Sequence, residues 1–513
     1  MTKSVYARQV LSTIWSQAHD REVEQLLFCT FGILPAMLGI PLFGPESRFE
    51  ETDNPRELAF QGSMKMRKIL LLVGISMAVC AFVPASGTTL YVDGSVSASG
   101  NGQSWETAFK MIQEGIDGAS DGDTVIVAEG TYLENIYFHG KNIILSSTDP
   151  LDADVVANTI IDGNDAGSVV TFAATEDETC VLSGFTLRNG SAWRGGGICG
   201  GTLDDRTHAT IQNNVISGNS VMGDLSAGGG LFLCDGTIQN NTISGNTANF
   251  GGGFYECDAT IQNNTIAGNS ANFGGGLYDC DATIRNNLII GNSAASGGGF
   301  YDCNGTIGNN TISGNSAASF GGGLRLCRGT IQNCIVWGNS AAYDAQLSMC
   351  KEPTYSCIQN WAGLGEGNIA EDPQFVDADG PDDNPETFED NDYRPGAGSP
   401  CIEAGKNEDW MSDAVDLDAN PRIMGETVDM GAYEYTLFAF RIVAIAGAAG
   451  GKVEIRWNSG PGATYTIWSC LDLVAGEWSE EETIPSQGGS TTWTDPDTPP
   501  LRKFYRIELK LSG

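Results

Sequence analysis

Residues 260–282 read TIQNNTIAGNSANFGGGLYDCDA, and residues 283–305 read TIRNNLIIGNSAASGGGFYDCNG. The second stretch repeats the first after 23 residues, and the period extends in both directions. Aligned on the motif T-I-x-N-N/C, Ile211, Ile238, Ile261, Ile284, Ile307 and Ile331 follow one another at 27, 23, 23, 23 and 24 residues. Glycine triplets recur in step at 228–230, 251–253, 274–276, 297–299 and 321–323. Self-similarity at a fixed short period defines a solenoid. Twenty-three residues are too few for a helix pair with its turns, which takes about 33, and suit one coil of a parallel β-helix.

Local composition agrees. Thr260-Ile261-Gln262 and Thr265-Ile266-Ala267 alternate in polarity, and Asn-Asn or Gly-Asn separates such pieces. Asn and Gly tolerate the left-handed backbone that a tight corner needs. Each coil is therefore expected to give two or three short strands. Successive coils stack at about 4.8 Å, so equivalent side chains form files along the axis. Asn240, Asn263, Asn286 and Asn309 are expected to bond amide to amide. Cys234, Cys257, Cys280, Cys303, Cys327 and Cys350 form a second file. Side chains in register on parallel strands point the same way with Cβ atoms about 4.8 Å apart, outside the disulfide optimum near 3.8 Å. The cysteine file is thus expected to be buried free thiol, and Cys357 and Cys401, outside it, are the better candidates for a bridge.

The chain has 513 residues, enough for about three folding units. Its 67 glycines lack the three-residue spacing of collagen, so they point to turns. Lys and Arg number 27 against 64 Asp and Glu, a net charge of −37, which repels nucleic acid and anionic lipid and excludes nucleic acid as a partner. From Met64 the chain reads MKMRKILLLVGISMAVCAFVPASG, a basic start, an apolar stretch from Ile69 to Val83 and small residues before Ser86. Residues 64–85 are read as a bacterial-type export signal, and the apolar stretch is too short for a comfortable membrane span. The expected localisation is secreted or cell surface, with no membrane span in the mature chain. Residues 1–63, which share no pattern with the remainder of the chain, are read as a mis-called or disordered extension.

Ser104 to Ile112 reads as a helix with Ser104 at its N-cap and Phe109, Ile112 and Ile116 on one face, a cap for the open end of a solenoid. It precedes GDTVIVAEGTYLE at 122–134. The helix, that run and the GGG, NN and GN coils resemble secreted right-handed parallel β-helix proteins of the pectin-lyase-like superfamily, over residues 88–360. Asp372-Pro373-Gln374-Phe375-Val376, Ser399-Pro400-Cys401-Ile402-Glu403-Ala404-Gly405 and Asp429-Met430-Gly431-Ala432-Tyr433-Glu434-Tyr435 resemble the choice-of-anchor Q closing module of bacterial surface β-helix proteins, placing an acidic closing module at 361–436. Residues 437–513 alternate with period two between Gly, Pro and Ser turns and read as a small β-sandwich similar to fibronectin type III modules. The expected fold is all-β: a right-handed parallel β-helix with an N-terminal capping helix, then a C-terminal sandwich.

The resemblance implies two kinds of function. Enzymes of this superfamily include pectate lyases, with calcium-binding carboxylates and an Arg base, and polygalacturonases, with clustered Asp; neither set is recognisable here. The coils instead present Glu256, Asp279 and Asp302 just before the file cysteines, Asp235, Asp258 and Asp281 just after, and Tyr255, Tyr278 and Tyr301 beside them. Stacked carboxylates call for solvent or a cation, and regularly spaced rings can stack on sugars; the alternative is a solvated acidic face with ordinary outward tyrosines. A second candidate is the stretch 366–392, with eleven carboxylates and no Lys or Arg. There Asp377, Asp379, Asp382 and Asp383 flank Gly380 as in calcium loops, without the full EF-hand pattern; the alternative is a solvated linker. The sequence expectation is a non-catalytic protein that adheres to extracellular polysaccharide or cell-surface glycan, with calcium as the candidate cofactor and otherwise none; the alternative is a polysaccharide lyase or glycoside hydrolase.

Overall fold

A computed structural model describes residues 87–382, 384, 390–436, 442–448, 452–458, 464–471, 478–486, 490–497 and 503–510. The chain divides into Met1–Ala85 and Ser86–Gly513. The export signal read at 64–85, the extension at 1–63 and Asp383 lie outside the described residues. No helix among the described residues is long and apolar enough to cross a membrane.

The repeat builds a parallel β-helix. One coil shows the path. Thr260–Gln262 lies in sheet A, a corner at Asn263 and Asn264 comes next, and Thr265–Ala267 lies in sheet B. A corner at Gly268 and Asn269 leads to Ser270–Phe273 in sheet D, and the glycine triplet leads to Leu277–Tyr278 in sheet C. Among the described residues sheet A has ten strands, sheet B ten, sheet C nine and sheet D four. Each coil pairs in register with the next, Ile261 beside Ile284 and Ile266 beside Ile289. Ile211, Ile238, Ile261, Ile284 and Ile307 are fully buried and share one core with the cysteine file. Burying each such side chain contributes about 1.5–3 kcal/mol. A Cβ added at Gly252 would sit 2.4 Å from the Gly275 carbonyl oxygen, so the triplets are there to let coils approach.

The asparagine pairs divide their labour differently from the sequence expectation. The first of each pair, Asn240, Asn263, Asn286 and Asn309, takes left-handed φ values of 53–56°. The ladder is built by the second. Asn264 Oδ1 accepts from the Asn241 backbone N–H at 2.9 Å and its side-chain amide at 3.0 Å, while Asn264 Nδ2 donates to Ile238 O and to Asn287 Oδ1. A second ladder runs through Asn219, Asn246, Asn269, Asn292, Asn315 and Asn339 behind the left-handed glycines of the next corner. A turn residue with positive φ points its side chain out of the coil; its neighbour turns inward, where the unpaired backbone groups are.

All described cysteines are free thiols. In the file, Cys257 Sγ accepts from the Cys234 backbone N–H at 3.4 Å and donates to Tyr255 O at 3.5 Å, and Cys280 repeats this one coil on.

At the N-terminal end the capping helix α1 is Ile112–Gly118, shorter than expected. Trp105–Thr107 is a single 3-10 turn after Ser104, whose side chain makes no cap bond. Phe109 is not helical: its backbone bridges Val92, donating to Tyr91 O and accepting from Asp93 N–H. The edge of sheet A needed a partner, and that backbone supplies it. Ile112 and Ile116 do face the core. Buried Glu134 caps α1 from the next coil, accepting from Ile112 N–H at 2.8 Å and Gln113 N–H at 2.9 Å.

Residues 399–436 pack along the flank of the β-helix, on the corner between sheets A and B. The outward asparagines seat them: Asn286 Nδ2 donates to Val415 O, Asn309 Nδ2 to Asp429 O and Asn333 Nδ2 to Lys406 O. Ala432 and Tyr433 join Ala267, Leu288 and Ile290 in one apolar cluster. Fully buried Arg422 ties the segment's end together, donating to Asp429 O and Gly431 O and pairing with Glu434 at 3.2 Å. Farther on, strands 442–448, 452–458 and 490–494 form one antiparallel sheet and 464–470, 479–485 and 504–510 another. Ile455, Trp457, Tyr465, Ile467 and Trp493 fill the space between them.

Candidate glycan-binding face

Sheet C has strands only two residues long, so each coil offers one inward and one outward side chain there. Phe254, Leu277 and Phe300 point in, and Tyr255, Tyr278 and Tyr301 point out. The structure brings the predicted tyrosines together as one stack. Phe232, Tyr255, Tyr278 and Tyr301 lie face to face with centroids 5.3, 5.4 and 5.3 Å apart. Guanidinium groups close both ends, Arg194 over Phe232 and Arg325 over Tyr301, each at 5.4 Å. Phe250 and Phe273 meet Tyr278 and Tyr301 edge-on from sheet D. The tyrosine faces are therefore occupied by one another; edges and hydroxyls are what the band turns outward.

Glu256, Asp279 and Asp302 come directly after the tyrosines at the corner leaving sheet C, each with left-handed backbone, φ 44, 52 and 57°. Asp279 is the middle carboxylate. Half-burial, then the charges of Glu256 and Asp302, push its pKa up to about 6. Burial also pushes the Tyr278 phenol up to about 12.

The neighbouring acids hold the coils together. Asp235 Oδ1 accepts from Asp258 N–H, Asp258 Oδ1 from Asp281 N–H and Asp281 Oδ1 from Asn304 N–H, at 3.0, 2.9 and 2.8 Å. This file hydrogen-bonds coil to coil. Arg206 closes its N-terminal end, reaching Glu256 and Asp258 at 3.0 Å and Asp235 at 3.5 Å. Beside it runs a shallow open groove of about 430 Å³ lined by His208, Asp235, Asp258, Asp281, Thr260 and Thr283.

One aromatic face stays free, at a residue that pattern reading missed. Trp193 is 79% exposed and immediately precedes Arg194, whose guanidinium covers Phe232. One face of its indole lies over Gly223, where an added Cβ would come within 2.9 Å of the ring. Gly223 belongs to the longer 27-residue coil between Ile211 and Ile238. That irregular spacing was the available signal.

The acidic loop is a separate place. Phe375–Asp377 pairs antiparallel with Asp392–Pro395, Gly380 has φ +68°, and Asn384 N–H bonds to Asp379 O and Asp382 Oδ1. Asp377, Asp379 and Asp382 lie on this hairpin, away from the tyrosine band. No group of three or more His, Cys, Asp or Glu side chains converges as a metal site among the described residues.

No curated protein matches the chain. A family model described as a right handed beta helix region matches residues 173–348. With the coil geometry above, that match makes the repeat region a right-handed parallel β-helix, an architecture that fits the pectin-lyase-like superfamily in general.

Proposed function

We propose that this protein is an exported, non-catalytic β-helix that binds extracellular polysaccharide along the outer face of sheet C. One observation carries the reading: a continuous aromatic and carboxylate band along successive coils, with the exposed indole of Trp193 next in sequence to Arg194, which covers the band's Phe232 end. A pyranose has an apolar C–H face that stacks on a flat ring and hydroxyls that bond to carboxylates and phenols. The repeat spacing of about 4.8 Å offers such groups in series to an extended chain. Cleavage would need an acid and a base converging on one bond. Here Asp235, Asp258 and Asp281 are held by backbone amides, and Arg206 pairs with three carboxylates. A net charge of −37 favours neutral or cationic glycans over polyuronates.

The test is a glycan array with the full chain, run beside assays for new reducing ends and for unsaturated lyase products. Binding without either product is expected, and Trp193→Ala should weaken it roughly fivefold to tenfold, the scale of one aromatic stacking contact. Steady product release would replace this reading with the lyase or hydrolase alternative.

A further inference from the structure

Two cysteines stand outside the file and come from different parts of the chain. Cys357 lies on the last strand of sheet B, Cys357–Ile358, and Cys401 lies in the segment that packs along the flank. Both are fully buried and meet in one small cluster with Ile335 and Met430. The two cysteines are neighbours within this cluster, where Cys357 Sγ donates to Glu371 O at 3.2 Å. The contrast with the file is geometric. File cysteines sit on parallel strands in register and point the same way, each sulfur held by the backbone of the coil before it. Cys357 and Cys401 approach from separate segments, so their Cβ vectors are not constrained to be parallel.

We propose that Cys357 and Cys401 are a cross-linking site, oxidised to a disulfide that fastens the flanking segment to the last coil of the β-helix. Neither thiol meets solvent in the folded chain, so the chemistry belongs to folding, before the segment docks. An external disulfide, such as oxidised glutathione or a dithiol oxidase, is attacked by one cysteine thiolate and releases one thiol. As the segment docks, the second cysteine thiolate displaces the other half. Two S–H bonds are lost, one S–S bond forms, two protons leave, and the external disulfide is reduced to two thiols.

The bridge lies where it has an effect. Sheet B ends at Cys357–Ile358, beyond which Ile369 adds an isolated parallel bridge to Cys357 and no further strand follows among the described residues. Side-chain contacts beyond it come from Ile369 and from the segment carrying Cys401 and Met430. A covalent tie there restrains the end of the solenoid from which fraying starts.

The test uses the full chain refolded in a glutathione redox buffer, then unfolded and alkylated without reduction. Trypsin would leave both cysteines in one peptide, because Arg394 precedes Pro395. A Glu-specific protease separates them at Glu366 and Glu371. The expected result is a linked pair of peptides carrying Cys357 and Cys401, split by reductant, with Cys257, Cys280 and Cys303 already alkylated. Reductant should lower the Tm of the wild type and leave that of Cys401→Ser unchanged. Recovery of Cys357 and Cys401 both alkylated without reduction overturns the proposal, as does either one bridged to a file cysteine. Because the decisive reading is made on the wild-type chain, misfolding of a variant cannot obscure it.

Discussion

Adjacent asparagines in this protein have opposite jobs, and substitution should tell them apart. Asn264→Ala removes the acceptor of the Asn241 amide and the donor to Ile238 O inside the coil. Stranding two buried backbone groups costs about 1–3 kcal/mol each, so urea unfolding should show a loss of about 3 kcal/mol. Asn263→Ala loses only tolerance of a left-handed backbone, about 1 kcal/mol. Sequence periodicity could not make this distinction, since both asparagines recur with the same period; the backbone angle that separates them is set by the corner. A pH effect belongs to Asp279, which titrates near 6 when folded against an ordinary value of 3.8. The folded state holds that proton more tightly, so stability falls as pH rises from about 4 through 6. Glu256, Asp302 and Asp281 are the charges that face it. Asp279→Asn should flatten that part of the Tm profile and leave the variant more stable than wild type at pH 7; an unchanged profile would mean the corner is already solvated.

At the scale of elements, sequence was clearest where one residue pattern met one structural demand. The coil and the inward isoleucines followed from spacing and alternation, while the coil at 260–282 holds four strands where two or three were expected, because the short stretch after the Gly-Asn corner and the pair after the glycine triplet each add one. Helix α1 did not follow, because Phe109 carries a helical pattern while its backbone completes the edge of sheet A. Nor did the cap, because Glu134 acts from 22 residues away. That long-range cap gives a test. Glu134→Ala removes the acceptor for two amides at the start of α1 and should cost about 1–2 kcal/mol, the usual range for a lost N-cap. Hydrogen exchange would localise the loss to Ile112–Gly118 and the adjoining strand Thr89–Val92. The candidate face divides the same way. Tyr255, Tyr278 and Tyr301 were legible as a file, but repetition alone does not reveal that parallel rings at this pitch cover one another. Trp193 breaks the repeat, and only the fold shows that its indole is exposed over Gly223.

The β-helix is quasi-one-dimensional: each coil contacts its neighbours, and in the regular repeats the same side chains meet at each interface. A complete coil can then be removed without creating a new kind of contact. Deleting residues 238–260 joins Thr237 to Ile261, sets Ile211 beside Ile261, and sets Asn214 beside Asn264. It sets Cys234 beside Cys280, and Asp279 and Asp281 arrive where Arg206 held Glu256 and Asp258. The asparagines that seat residues 399–436 lie farther along and are untouched. This variant should keep a β-type circular dichroism spectrum and a cooperative melt, with a Tm lowered by a few degrees. Deleting residues 238–248 removes about half a coil, so the coil at the junction cannot pair in register with both of its neighbours, and should lower the Tm far more than the complete-coil deletion. If the two deletions behave alike, register is not what organises this chain. The complete-coil deletion also takes Tyr255 and Glu256 out of the band and leaves Trp193 in place. Polysaccharide binding spread along the coils should weaken without being abolished, whereas binding confined to Trp193 should not change.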